Sequence, residues 1–194
     1  MSRQADITRT TAETDIAVTL DVDGSGASEI TTGVGFFDHM LTLFARHGLY
    51  DLGVRASGDL ETGSHHTVED TGIVIGQAFD RALGDRAGIE RYGSAFVPMD
   101  ECLAHAAIDI SGRPHVSCTV PLPTGVVGGF ETDLLEEFLR GFANNARLTL
   151  HVRLLSGENP HHVIEACFKA VARAMRVATS INPREQGVPS TKGS

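Results

Sequence analysis

The pattern His-His-x-x-Glu occurs twice in this chain, at residues 65–69 and at residues 161–165. Imidazole and carboxylate side chains are common ligands of divalent metal ions in proteins. On a helix, the first histidine and the glutamate of each motif are four residues apart and lie on one face. The second histidine, His66 or His162, projects about a quarter-turn away, because successive residues are rotated by about 100°. Each motif can therefore serve two neighbouring sites.

The surroundings of the two motifs repeat as well. The order helix, strand, turn and HHxxE helix occurs twice, with His39 preceding His65 by 26 residues and Glu137 preceding His161 by 24 residues. Such a repeat predicts two similar α/β halves related by a pseudo-twofold axis. Strand pairs followed by helices on one face favour an α+β fold of internally duplicated two-layer halves over a doubly wound sheet. We predict halves at residues 1–92 and 93–182, followed by an irregular tail at 183–194.

Hydrophobic periodicity predicts the positions of the main elements. Strands are predicted at 5–10, 14–22, 50–56 and 148–155, and helices at 36–47, 65–83, 132–145 and 161–179. Residues 29–32 are predicted to return as a hairpin strand, and residues 85–94 to form a loop. Two strand arms, near 101–110 and 114–120, are joined by a turn at 111–114. Gly48 is predicted to end the helix at 36–47 by adopting the left-handed conformation just after its last turn.

Composition and charge exclude several classes of function. The chain has 16 Lys and Arg against 25 Asp and Glu, so its net charge of −9 gives no electrostatic case for nucleic acid or an anionic membrane. The three scattered cysteines have no CxxC spacing, so neither a zinc ribbon nor a disulfide framework is indicated, and we predict buried free thiols. The N-terminus lacks a signal-peptide pattern, and no apolar run approaches the roughly 20 residues of a membrane span. We predict a cytoplasmic protein.

Two metal sites are predicted from the duplicated motifs. A lone histidine is usually structural, whereas two HHxxE motifs in a repeated frame indicate ligands. The predicted sets mix the two halves: His39, His66, His161 and Glu165 for one ion, and His65, Glu69, Glu137 and His162 for the other. Imidazole and carboxylate ligands with open positions suit manganese, iron or zinc. The halves can combine within one chain or between subunits, and in the second case assembly would depend on metal.

The other histidines have simpler interpretations. His105, His115 and His151 lie in predicted strands, where packing or hydrogen bonding is the usual role. His47 lies near a helix end, where a protonated imidazole suits the helix dipole, and it also follows His39 by two turns and can line the site.

Four cations in separate segments are candidates for binding an anion: Arg91, Arg113, Lys169 and Lys192. Lys169 lies eight residues beyond His161 on roughly the same helix face, so it can reach a group about 10 Å from the metal. Cations that converge near a metal would bind a phosphate. Each one alone is an ordinary surface charge, and their convergence does not follow from the sequence.

Five segments carry a resemblance to a known family: GFFDHML at 35–41, HHTVED at 65–70, SGRP at 111–114, NPHH at 159–162 with Glu165 and FKA at 168–170, and PSTKG at 189–193. Together they resemble imidazoleglycerol-phosphate dehydratase, over nearly the whole chain. The resemblance implies a ribosomal protein S5 domain 2-like fold and dehydration of imidazole glycerol phosphate to imidazole acetol phosphate in histidine biosynthesis. It also implies two Mn²⁺ per active site and a homo-oligomer of 24 subunits, built from trimers, with active sites between subunits.

The resemblance also implies roles for individual residues. Besides the metal ligands above, it implies substrate contacts from Glu13, His39, His47, His65, Glu69, Arg91, Arg113, His161, Lys169, Thr191 and Lys192, so that the C-terminal tail contributes to the active site. Glu165, Glu69 and Glu13 are candidates for the catalytic proton transfers and are not ranked. At the position of Glu137 many family members carry a histidine ligand, and His151 is the nearby alternative to Glu137.

Two other functions are compatible with the same ligands. A dinuclear metallohydrolase would use a metal-bound hydroxide as nucleophile and would release phosphate or an amine. A non-enzymatic, metal-assembled shell protein would store ions and would not depend on Arg91, Arg113 or Lys169.

Overall fold

The computed structural model describes residues 2–190, and its elements occur in the same order twice. The first half contains β1 (Gln4–Thr10), β2 (Thr14–Asp21), β3 (Ser28–Thr31), α1 (Gly35–Gly48), β4 (Asp51–Gly58) and α2 (His65–Leu83). The second half contains β5 (Tyr92–Met99), β6 (Cys102–Asp109), β7 (His115–Thr119), a short hairpin of β8 (Val126–Val127) and β9 (Phe130–Glu131), α3 (Leu134–Asn145), β10 (Thr149–Ser156) and α4 (Pro160–Thr179). A single 3₁₀ turn, Leu60–Thr62, precedes α2.

Each half has a four-stranded sheet of the same topology. The strand orders are β1-β2-β4-β3 and β5-β6-β10-β7. In both sheets the last pair, β3 with β4 and β7 with β10, is parallel, and the other pairs are antiparallel. This equivalence confirms the internally duplicated α+β fold predicted from the sequence.

The helices of the two halves pack against each other. The helix α2 lies on its own sheet and contacts α3 of the other half, and α4 lies on β5 and β6 and contacts α1. Buried phenylalanines join α1, α3 and α4: Phe37 and Phe138 have ring centroids 5.5 Å apart, and Phe138 and Phe168 are 4.9 Å apart. Burying each such side chain contributes about 1.5–3 kcal/mol. The aromatic contacts therefore hold the two halves together as one core.

Glycines allow α2 and α3 to approach closely. A Cβ added to Gly76 would lie 2.4 Å from the carbonyl oxygen of Phe142, and one added to Gly141 would lie 2.8 Å from the carbonyl oxygen of Glu69. Main-chain atoms cannot retreat from such a contact as the end of a flexible side chain can. The glycine contacts therefore set the distance between the first HHxxE motif and the second half.

The strand pairing differs from the sequence prediction in three places. The strand β3 does not form a hairpin with β2, because α1 crosses over and β3 pairs parallel with β4. The strands β6 and β7 are not neighbours, because β10 lies between them and pairs with both. Residues 92–94, predicted as loop, belong to β5 and pair with β6. Periodicity reports which face of a strand is buried but not which strand lies beside it.

The end of α1 also differs from the prediction. The left-handed residue is Leu49, with φ of 59°, and not Gly48. A Cβ on Gly48 would lie 2.2 Å from Cε2 of Tyr50, so packing explains the glycine there.

Two further sequence expectations can be compared with the described residues. Cys102 and Cys167 are buried, Cys118 is half-buried, and all three thiols are free. No helix among residues 2–190 is long and apolar enough to cross a membrane.

Gly76→Ala is expected to destabilise the protein by about 1–3 kcal/mol, because the added methyl group would displace the main chain of α3. Urea unfolding of the metal-free protein measures the change in the free energy of unfolding. Gly35→Ala is the control, since a Cβ there meets nothing within 4 Å and should leave stability nearly unchanged. Equal stability of the two variants would contradict the close helix contact.

Candidate metal centre

Three ligand-type side chains converge where α1 packs on α4. They are His39 from α1 and His161 and Glu165 from α4. Oε2 of Glu165 lies 3.5 Å from Nε2 of His39 and 3.2 Å from Nε2 of His161. Two atoms bound at about 2.1 Å and at right angles on one metal ion are about 3 Å apart. Small side-chain adjustments would therefore let all three groups bind one ion.

The start of α4 places the second motif. The side-chain oxygen of Asn159 accepts a hydrogen bond from the main-chain N–H of His161 at 3.0 Å, and Pro160 occupies the first helical position. Both features are typical of a helix start. His161 and Glu165 then lie one turn apart, and the ring of Phe36 contacts the His161 imidazole edge-on at 5.0 Å. The helix cap and this ring contact orient the motif toward α1.

Glu165 is a buried carboxylate held by a cation. Its Oε1 lies 2.5 Å from Nζ of Lys169, which leaves Oε2 to face the histidines. Burial raises the pKa of Glu165, but the hydrogen bond and charge of Lys169, with smaller contributions from His39 and His161, outweigh it and lower the pKa below its usual range. Glu165 is therefore an ionised carboxylate near neutral pH.

The first motif forms a more exposed pair. Nε2 of His65 lies 3.6 Å from Oε2 of Glu69, and about half of each side chain is exposed. Ser64, just before α2, donates a hydrogen bond to Glu131 of β9, which ties the start of the helix to the second half. Glu137 lies half-buried on α3. Within the described residues it belongs neither to the cluster around Glu165 nor to the other cluster of three ligand-type groups, Glu101, Cys102 and His162.

The second histidine of each motif faces a different carboxylate. Nδ1 of His66 lies 3.0 Å from Asp59 and 3.9 Å from Glu13, and Nδ1 of His162 lies 2.9 Å from Glu101. These hydrogen bonds raise the pKa of both histidines, and the bond from His162 is the main cause that lowers the pKa of Glu101 to about 2. Within one chain, His66 and His162 therefore do not meet the other ligands of their predicted sets.

Glu13 lies in the exposed turn between β1 and β2. Its main-chain N–H donates to Oγ1 of Thr11 at 3.1 Å, and its carbonyl accepts from the N–H of Asp59 at 3.2 Å. The next residue, Thr14, donates its hydroxyl to buried Asp70 at 2.5 Å, and Asp70 follows Glu69 on α2. This hydrogen bond holds the turn beside the first motif.

His47 lies on α1, eight residues after His39. Burial and the charges of Lys169 and Arg173 lower its pKa. The neutral imidazole is therefore favoured at neutral pH, contrary to the helix-dipole interpretation.

A cleft of about 350 Å³ separate from the histidines is lined by four arginines: Arg86, Arg91, Arg113 and Arg147. Nε of Arg91 donates to Asp109 at 2.7 Å, and its NH1 donates to the carbonyl of Pro189 at 2.6 Å. The side chain of Arg113 is 69% exposed. The structure thus brings Arg91 and Arg113 together, and such paired guanidinium groups suit an oxyanion.

Lys169 lies away from this cleft. The main-chain N–H of Arg91 donates to the carbonyl of Ala178, nine residues beyond Lys169 on α4, which is about 13 Å along the helix axis. The other two predicted contacts, Thr191 and Lys192, lie outside the described residues.

Sequence reasoning missed four residues beside these sites. Asp59 and Glu101 face the motif histidines, and Arg86 and Arg147 line the arginine cleft. The duplication contained a signal for Glu101, because the turn between β5 and β6 corresponds to the turn between β1 and β2 that carries Glu13.

A sequence model of imidazoleglycerol-phosphate dehydratase matches residues 32–175, which include both HHxxE motifs. The chain belongs to the imidazoleglycerol-phosphate dehydratase family. Membership makes it a hydro-lyase of histidine biosynthesis acting on a small molecule. Neither a metallohydrolase nor a non-enzymatic shell protein describes such a chain.

Proteins named imidazoleglycerol-phosphate dehydratase are similar to this chain over nearly all of its residues. The protein of this name from Granulibacter bethesdensis is 58% identical over 194 residues, which cover 100% of this chain and 99% of the relative. That from Thermoanaerobacter pseudethanolicus is 57% identical over 191 residues and covers 98% of each.

Solved structures of imidazoleglycerol-phosphate dehydratase agree with the fold. The enzyme from Staphylococcus aureus N315 has a TM-score of 0.84 and 44% identity, and the match covers 92% of this chain and 99% of that one. The enzyme from Pyrococcus furiosus has a TM-score of 0.84 and 41% identity, and the match covers 96% and 99%.

His47 makes the stability of the folded protein sensitive to acid. Because its pKa is lowered in the folded state, the unfolded state binds more protons as the pH falls below about 6.5, and the folded state is disfavoured. Wild type is therefore expected to lose more stability between pH 7.5 and 5.5 than His47→Gln. Urea midpoints of the metal-free proteins measure this, with His115→Gln as a control for losing a histidine elsewhere. A pH dependence that His47→Gln leaves unchanged would contradict it.

Proposed function

We propose that this chain catalyses the metal-dependent dehydration of D-erythro-imidazole glycerol phosphate to imidazole acetol phosphate and water. The observation that carries the proposal is the convergence of His39, His161 and Glu165 in a chain of this family. The proposed enzyme is cytoplasmic and binds two Mn²⁺ per active site.

The donor set supports manganese over a thiolate-binding metal. All proposed ligands are imidazole nitrogens or carboxylate oxygens, which suit Mn²⁺. Cys102 lies beside His162, but burial, with the neighbouring Glu101, raises the pKa of its thiol to about 11. The thiol is therefore protonated at neutral pH and donates to Glu101 at 3.2 Å. When bound, the ions would supply Lewis-acid activation of the imidazole ring and a template for the substrate.

The directions of the histidines support sites between subunits. His39, His161 and Glu165 form most of one ligand set within the chain, and His65 and Glu69 form half of the other. His66 and His162 point away from these groups and would complete the sets in neighbouring copies. Glu137 is the proposed remaining ligand of the second set. This arrangement supports a metal-dependent homo-oligomer, and the proposed size of 24 subunits built from trimers rests on the family resemblance alone.

Carboxylates would move the protons of the reaction. Dehydration removes a hydroxyl and a C–H proton from neighbouring carbons, and no carbonyl makes that proton acidic. Glu165 is ionised but bound among the metal ligands, whereas Glu69 and Glu13 are more exposed and accessible to substrate. A positioned general acid or base contributes about 10²–10⁴-fold to the rate.

The arginine cleft would hold the phosphate. Arg91 is oriented by Asp109, and exposed Arg113 is available to an incoming oxyanion. Lys169 and the tail residues Thr191 and Lys192 are the other proposed contacts. Lys169 lies about 13 Å along α4 from Ala178, whose carbonyl accepts from the main-chain N–H of Arg91. Lys169 and Arg91 would therefore contact one substrate molecule from different subunits.

Chelation is expected to abolish activity on imidazole glycerol phosphate, and added Mn²⁺ is expected to restore it. Light scattering on the same samples should show loss and recovery of a large particle, because the ions join subunits. Activity that survives thorough metal removal would overturn the metal-dependent mechanism.

Glu165→Gln is expected to reduce turnover by at least about 10²-fold, because the amide is a poor ligand and cannot accept a proton. Bound Mn²⁺ should fall from two toward one per chain. Glu158→Gln, an exposed change in the turn before α4, is the control and should behave as wild type. Full turnover with full metal content in Glu165→Gln would refute its role.

Arg113→Gln is expected to raise KM by about 10–100-fold, because a charge-assisted hydrogen bond of about 1.5–3 kcal/mol is lost. Inhibition by inorganic phosphate should weaken in parallel. Arg55→Gln, on the exposed side of β4, serves as the control. An unchanged KM in Arg113→Gln would place the phosphate elsewhere.

A further inference from the structure

The two outward-facing histidines are held by the same kind of contact in both halves. Nδ1 of His66 lies 3.0 Å from Oδ2 of Asp59, and Nδ1 of His162 lies 2.9 Å from Oε2 of Glu101. Asp59 comes from the segment between β4 and α2, whereas Glu101 comes from the turn between β5 and β6. Two different segments therefore supply an equivalent carboxylate to equivalent helix positions.

The chemistry of a carboxylate decides the tautomer of each histidine. An ionised carboxylate only accepts hydrogen bonds, so Nδ1 must carry the proton in both contacts. In the neutral imidazole, Nε2 is then unprotonated and has a free lone pair, which is the form that binds a metal ion. A carboxylate on the opposite nitrogen also makes the ligand nitrogen more basic.

The carboxylates are themselves held in place. Oε1 of Glu101 accepts the main-chain N–H of Asn159 at 3.1 Å, so the residue that caps α4 also orients Glu101. Oδ2 of Asp59 accepts the hydroxyl of Thr62 at 3.0 Å, and the main-chain N–H of Asp59 donates to the carbonyl of Glu13. Each histidine is thus connected through its carboxylate to the turns around the motif helix.

The ligands that converge within the chain are oriented differently. His39 and His161 direct Nε2 toward Glu165, and His65 directs Nε2 toward Glu69. In each of these three histidines the neighbouring glutamate faces Nε2, the nitrogen that would bind the metal ion. His66 and His162 instead have their hydrogen-bonded carboxylate on Nδ1, behind the ring. The carboxylate nearest to Nε2 of His162 is that of exposed Asp100, at 3.8 Å.

We propose that Asp59 and Glu101 are positioning residues that hold His66 and His162 as Nδ1-protonated imidazoles and present Nε2 of each to a metal ion bound mainly by a neighbouring subunit. This inference rests on the proposed metal-dependent function. Asp59 would support the ion bound by His39, His161 and Glu165, and Glu101 would support the ion bound by His65 and Glu69.

Titration of the metal-free full-length protein with Mn²⁺, followed by the electron paramagnetic resonance signal of free Mn²⁺, tests the proposal. Asp59→Asn and Glu101→Gln are each expected to weaken one of two classes of site by about 10–100-fold and to leave the other unchanged. The Mn²⁺ concentration at which large particles form should rise in both variants. Glu61→Gln and Glu158→Gln remove a nearby exposed charge that faces neither histidine and should bind as wild type.

The tautomer provides a second measurement that needs no metal. Nitrogen-15 spectra of the histidine-labelled, metal-free protein should show His66 and His162 protonated at Nδ1 in wild type. In Asp59→Leu and Glu101→Leu the corresponding ring should shift toward Nε2 protonation, while the unfolding transition shows whether the fold is retained. Retention of the Nδ1 tautomer in these variants would overturn the proposal.

The outcomes separate the two proposals. If wild type binds two Mn²⁺ per chain and the affinity is unchanged in Asp59→Asn and Glu101→Gln, the positioning role is overturned and the proposed function stands. Wild type that binds no Mn²⁺ would overturn both.

Discussion

The packing of each motif helix on the first helix of the other half is the contact on which the rest of the structure depends. Glycines bring α2 and α3 to main-chain contact, and buried phenylalanines connect α1, α3 and α4. Because α1 lies on α4, His39 comes from the first half to meet His161 and Glu165 of the second. The candidate metal-ligand cluster is thus a consequence of how the duplicated halves are joined.

Charge arrangement then divides the ligands into two groups. Lys169 lies against one oxygen of Glu165 and keeps this buried carboxylate ionised. Burial, together with the charge of the same lysine, lowers the pKa of His47. His66 and His162 are turned away toward carboxylates of their own. One chain therefore contains a cluster of three groups that could hold a metal ion, together with two histidines that face away from it. This is the arrangement expected of the proposed shared site.

Several parts of the fold follow from local sequence, and others do not. The four helices and most strands were predictable, since periodicity, Asn159 and Pro160 are local signals. The parallel partners of β3 and β7 were not, because pairing across a crossover depends on contacts distant in sequence. The left-handed conformation of Leu49 was also not predictable, because a glycine precedes it and glycine is the usual left-handed residue. The structure shows that Gly48 is required instead by the close approach of the Tyr50 ring.

The sequence by itself determined the two HHxxE motifs, the duplication and the divergence of adjacent histidines, because helix geometry sets which residues share a face. Only the tertiary structure decided which groups those side chains meet. Glu101 lies 61 residues from His162, and its contact exists because the β5–β6 turn ends beside the start of α4. The convergence of Arg91 and Arg113 likewise arises from the fold. Such contacts join segments that no local pattern relates.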